Sequence, residues 1–211
     1  MIRAIAIKEL RETIGLAALA LVALAYYVHN LIDKAGGERV PFVLDDYFPM
    51  LALVQWLLAI GLGLRQSAWE RIRGTYPFLL HRPASPTAIF VAKFATGLVQ
   101  VQAVAAVPIV WYGVWASTPN THPSPFEWSM TESAWSVWLS LPVAYLSAFL
   151  SGLRPARWWG TRLLPGVAGS MLFLFISMAI QSWPITLAAS LALSAILMSL
   201  IFYVAKTSDF G

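Results

Sequence analysis

The sequence predicts an all-α protein of about six membrane-spanning helices, and three observations carry that expectation. Only 11% of the 211 residues are charged, against 59% hydrophobic, whereas a soluble domain carries roughly a quarter charged residues. The apolar residues lie in long runs separated by short polar clusters, as lipid rather than a soluble core demands. All but two of the 14 Lys and Arg residues fall in alternate inter-span segments, so the basic charge collects on one side.

A hydrocarbon core of about 30 Å takes roughly 20 residues of helix rising 1.5 Å each. Six stretches meet that length: Thr13–Leu31, Phe48–Leu64, Ile89–Trp115, Ala134–Leu153, Leu163–Ser182 and Pro184–Ala205. The third is long enough to tilt. A tight Ser182-Trp183-Pro184 turn separates the last two. Ahead of span 1, Ile2, Ile5, Ala6 and Leu10 make one apolar face, and Lys8 stands one turn before Glu12. Residues 1–12 therefore read as an interfacial amphipathic helix lying along the inner surface. Glu9 and Glu12 among the basic residues argue against a cleaved signal peptide.

Arg3, Lys8, Arg11, Arg65, Arg71, Arg73, Arg82, Lys93, Arg154, Arg157, Arg162 and Lys206 share one side, with only Lys34 and Arg39 on the other. By the positive-inside rule both termini are cytoplasmic in a multi-pass plasma (inner) membrane protein. That asymmetry explains the pI near 9.6 without nucleic acid. Tyr26, Tyr27, Trp111, Trp115, Trp135, Trp138, Trp158, Trp159 and Trp183 fall near span ends. An interfacial belt is their expected role, with substrate stacking as the alternative. The outer segment Ser117–Ser133 holds Glu127 and Glu132 and no basic residue; it reads as a loop or as a lid.

The spans offer little chemistry. With no cysteine, thiol catalysis and thiolate metal sites are excluded. His29, His81 and His122 have no ligand spacing. Ion-coupled carriers place acidic or His groups deep in the membrane; here Lys93 sits near the inner end of span 3, where its amine is expected to snorkel. Gln55 and Gln102 are candidates for a translocation path or, alternatively, for bonds between helices. Gly166, Gly169, Ser170 and Ser177 give span 5 a small-residue face for close helix contact.

The 66–86 loop is the most informative segment. Trp69, Ile72, Tyr76, Leu79 and Leu80 recur at helical spacing, with Glu70, Arg71 and Arg73 facing elsewhere. Pro77 interrupts the helix, and Pro83 and Pro86 mark a turn. Such an element either connects two spans or transmits the motion of a cytoplasmic motor into them.

The run Glu70…Gly74-Thr75…Phe78-Leu79-Leu80…Pro83-Ala84-Ser85…Lys93 resembles the cytoplasmic loop of type-2 ATP-binding-cassette permeases. Lys8-Glu9-Leu10-Arg11 in an amphipathic N-terminal segment, followed by six spans, resembles the wider layout. Ala92 stands where that family often has a glycine, and the short turn between spans 5 and 6 argues against a large polysaccharide cargo. The resemblance implies one transmembrane permease domain over 1–211, acting as the membrane subunit of an exporter. It implies a second permease subunit, identical or not, and a separate ATPase that binds ATP and Mg. Trp69, Glu70, Arg71, Arg73, Gly74, Thr75, Leu79, Leu80 and Pro83 would lie at the coupling contact, with spans 1 and 5 at the dimer seam. The chain has no Gly-x-x-x-x-Gly-Lys-Ser/Thr nucleotide loop and no cofactor site of its own. The alternative is a non-transporting scaffold or assembly subunit of a larger membrane complex.

Overall fold

The structure, a computed structural model, describes residues 2–34, 40–43, 47–74, 85–122, 125–154, 158–179 and 182–207. Among these it contains α1 (Ile2–Lys34), α2 (Tyr47–Ile72), α3 (Pro86–Ser117), α4 (Glu132–Leu153), α5 (Trp159–Ala179) and α6 (Trp183–Thr207), with a short 3₁₀ turn at Trp128–Thr131 before α4. All six long helices are apolar and long enough to cross a membrane, as the hydropathy runs predict.

Two boundaries differ from the expectation. Residues 2–12 form no separate helix, because α1 runs unbroken from Ile2 through span 1. Its buried stripe is Ile5, Glu9, Thr13 and Ala17, while Leu10 is exposed. Four-residue spacing in a helix places those side chains above one another, so the inward face includes a carboxylate. Likewise α2 continues past Leu64 to Ile72, absorbing the first part of the loop into the span. The chain leaves the helix at Gly74, in a left-handed conformation (φ 63°) that glycine adopts at no steric cost. Thr75, Leu79, Leu80 and Pro83 lie outside the described residues.

Helix α4 forms the centre. Within its membrane-spanning window 83% of residues are buried, against 22% for α6. It packs most extensively on α2 and α5, then on α6 and α3. Small residues allow the approach: a Cβ at Gly63 of α2 would lie 2.9 Å from Ala148 Cβ, and one at Gly152 of α4 would lie 2.7 Å from the Ala68 amide. The small face of α5 is used in the same way. Gly169 abuts Ser147, and the Gly166 amide donates to Ser151 Oγ at 2.7 Å. Those glycines thus seat α5 on α4 within one chain. The outer faces stay apolar and exposed, as with Leu19, Val22, Val99, Leu191 and Tyr203; in a bilayer they meet lipid.

The alternating helices gather charge at one end. Arg3, Lys8, Arg11, Arg65, Arg71, Arg73, Lys93, Arg154, Arg162 and Lys206 all belong to helix ends or turns on the side where α2 finishes and α3 begins. Ion pairs from α1 to α2 and α3, and the Arg71 and Arg162 bonds to the end of α4, hold that side together.

Candidate functional site

Four charged side chains from three helices meet at this end. Lys93 on α3 is completely buried, with Nζ 2.7 Å from Glu9 Oε1 of α1 and 2.8 Å from Glu70 Oε2 of α2. Lys8 closes the cluster, its Nζ 2.6 Å from Glu70 Oε1 and 3.8 Å from Glu9 Oε1. Lys8 also stands 3.7 Å from Glu12, the i,i+4 neighbour expected from sequence. Two ammonium and two carboxylate groups alternate, so the cluster adds no net charge to the interior. That cancellation makes such burial tolerable; a single unpaired member would cost several kcal/mol, on the order of 3–5.

The arrangement corrects the sequence reading of Lys93, whose amine does not snorkel towards water. It points inward because Glu9 and Glu70 both reach it, from helices distant in sequence. Thr13 extends the polar seam by donating to Gln100 Oε1 of α3 at 2.7 Å. Deeper in, Tyr145 of α4 donates to Gln66 Oε1 of α2, and Gln66 Nε2 donates to the Lys93 carbonyl at 3.4 Å. Gly97 leaves room for this pair, since a Cβ there would fall on the Tyr145 hydroxyl and the Gln66 amide oxygen.

The end of α2 therefore has two faces. Gln66, Ser67 and Glu70 point into the bundle. On the opposite side Trp69 is 38% exposed, Ile72 is 65% exposed, and Arg73 is exposed as well. The guanidinium groups of Arg65 and Arg73 lie over the Trp69 ring, 4.3 and 4.8 Å from its centroid, a cation–π stack along one stripe of the helix. Arg71 takes a third direction: its Nη1 donates to the Leu153 carbonyl at 3.0 Å. Arg162 of α5 donates to the Gly152 carbonyl at 3.1 Å. Cations thus satisfy the last carbonyls of α4, where the helix dipole favours positive charge. Through these contacts the terminus of α2 is bound to α1, α3 and α4 at once.

The residues singled out by sequence thus divide. Glu70 lies inside the cluster, Arg71 caps α4, and Trp69 and Arg73 face outward beside Gly74. Glu9 and Lys93 were legible only as polar residues at span ends, because nothing in a linear sequence pairs positions 9, 70 and 93. Gln55 is buried, and its Nε2 donates to the Ala105 carbonyl at 3.1 Å. It joins α2 to α3. The backbone carbonyl of Gln102 accepts from Trp138 Nε1 at 2.9 Å, tying α3 to α4.

Hollows occur elsewhere. Two apolar ones, of about 260 and 320 Å³, lie along the groove between α2 and α5, on either side of the Trp56 Nε1 to Ser170 Oγ bond of 3.2 Å. A third, of about 530 Å³, lies at the opposite end of the bundle beneath the 3₁₀ turn. Residues 117–122 and the 3₁₀ turn there pack back on α3. Thr121 Oγ1 donates to the Trp115 carbonyl at 3.0 Å, His122 Nε2 is 2.7 Å from the Ala116 carbonyl oxygen, and Trp128 covers Gly113. No family model matches the chain, and neither a curated protein nor a solved structure shows detectable similarity to it.

Proposed function

We propose that this chain is the membrane-spanning subunit of an ATP-binding-cassette exporter, working with a second permease subunit and a separate ATPase docked at the basic end. The observation that carries the reading is the two-faced terminus of α2. A force transmitter must expose a surface to its motor and be fixed to the helices it moves. Trp69, Ile72 and Arg73 supply the exposed surface. Glu70 and Arg71 fix the same turn to α1, α3 and α4. The lopsided distribution of Lys and Arg supports a cytoplasmic position for that end, where ATP is available.

On this reading, closure of the ATPase pair pushes on the loop that follows Gly74. The push tilts the end of α2, and the ionic cluster carries it into α1 and α3. The chain itself performs no covalent chemistry, and ATP and Mg are bound by the partner. The groove between α2 and α5 is lined mostly by apolar side chains and is compatible with a hydrophobic cargo.

The test is purification of the full-length protein from its native membrane in a mild detergent. A nucleotide-binding subunit is expected to co-purify in stoichiometric amount. Trp69→Ala combined with Arg73→Glu should release it, while Glu70→Gln should retain it and lose the ATPase response to reconstitution in lipid. Recovery of the intact protein with partners but no ATPase would support the scaffold alternative instead.

A further inference from the structure

The geometry points to a binding site for an organic cation of the quaternary-ammonium type in the hollow at the aromatic end, formed by Trp128, Trp135, Trp138 and Trp183 around Glu132. This inference does not depend on the transport reading, since it concerns the end of the bundle farthest from the ionic cluster.

The hollow, of about 530 Å³, lies within the range of small-molecule sites, roughly 300–1,000 Å³. Its walls come from the 3₁₀ turn, the first two turns of α4 and the start of α6. An interfacial belt alone predicts tryptophans spread around the helix ends and facing lipid. Here four converge on one space. Trp135 and Trp138 stand edge to face, with centroids 5.5 Å apart and planes at 85°. The Trp138 N–H is already committed to the Gln102 carbonyl at 2.9 Å, so its ring is what remains for a ligand. Trp128 rests on Gly113, the glycine leaving space for its six-membered ring. Indole faces attract a cation through the ring quadrupole, and Trp does so best.

The carboxylate makes the choice of sign. Glu132 Oε1 accepts the Trp183 backbone N–H at 3.3 Å, which joins α4 to α6 across the hollow. Among the described residues no Lys, Arg or His forms an ion pair with Glu132. The 117–133 segment has no Lys or Arg. A small hydrated metal ion would have to shed water to touch indole faces. A trimethylammonium group sheds little, fills an apolar-walled space and keeps its charge near Glu132. The same group occurs in free choline-like solutes and in phosphatidylcholine headgroups, and either source fits a site at a membrane surface.

The experiment uses the purified full-length protein in a non-ionic maltoside detergent and measures binding of choline by calorimetry. Saturable binding is expected, with about tenfold weaker affinity in Glu132→Gln and in Trp183→Leu. Both side chains are exposed, so the fold is kept, and Gln retains an oxygen for the Trp183 amide. The neutral carbon isostere of choline, 3,3-dimethylbutanol, should fail to bind. In nanodiscs, choline binding seen in phosphatidylglycerol but abolished in phosphatidylcholine identifies the lipid headgroup as occupant; equal binding in both identifies a soluble cation. No saturable choline binding, equal binding of the neutral isostere, or wild-type affinity in both variants would overturn the proposal.

Discussion

At one end of the bundle α1, α2 and α3 meet through four charges; at the other, the 3₁₀ turn, α4 and α6 meet around aromatic rings. The charged end is closed around Lys93, with Lys8 half-exposed at its rim. Its Lys93 has no exposed surface, and its carboxylates are shared between two ammonium groups. The aromatic end keeps a hollow, and two of its four tryptophans are more than half exposed. The difference follows from what each group needs when water is removed. A buried charge is tolerable only with its partner in place, so the ionic end tolerates no slack. An indole ring already has its apolar face satisfied by lipid or a neighbour, and it leaves a space open at little cost.

That contrast ranks the substitutions. Lys93→Ala should have the largest effect, about 3–5 kcal/mol, because it leaves the buried Glu9 and Glu70 with only the half-exposed Lys8 to share. Thermal unfolding in detergent would show it as a large fall in midpoint, and an intact midpoint would mean that water reaches the cluster. Gly97→Ala should cost about 1–3 kcal/mol, since the new methyl group displaces the Tyr145–Gln66 pair. The same assay reads it, and a neutral result would mean that α3 has room to move away from α4. Tyr145→Phe should cost about 1–2 kcal/mol by leaving the Gln66 oxygen without its donor, again measured by unfolding midpoint. At the aromatic end, Trp183→Leu should change stability by no more than about 0.5 kcal/mol. A fall comparable to that of Lys93→Ala would erase the distinction between the two ends.

The six spans were legible in the sequence because hydropathy depends on composition within a window, not on partners. The basic side of the bundle was legible for the same reason, as a property of segments. Residues 1–12 misled because Lys8, Glu9, Arg11 and Glu12 look solvated. In a helix, however, Glu9 follows Ile5 by one turn, and both face inward. Glu70 was expected at an ATPase contact; it is instead buried, and its surroundings depend on α1 and α3. One signal was available for Lys93: a lysine about 10 Å along the helix axis from Pro86 lies deep for an amine that must reach water. The aromatic hollow was less visible still, because it needs the 3₁₀ turn and α6 to converge, and tryptophans at span ends already have an ordinary explanation.

In the proposed coupling, the ionic cluster carries motion from α2 into α1 and α3. Because the chain has no native cysteine, spin labels at Gly15→Cys on α1 and Val99→Cys on α3 can report their separation in a complex with the proposed ATPase. A site with nothing within 4 Å of a Cβ and one with an exposed side chain accept the labels without disturbing the packing. The distance distribution should shift when a non-hydrolysable ATP analogue binds, and the shift should be lost in Glu70→Gln although the ATPase stays bound. An equal shift with Glu70→Gln in place would contradict it.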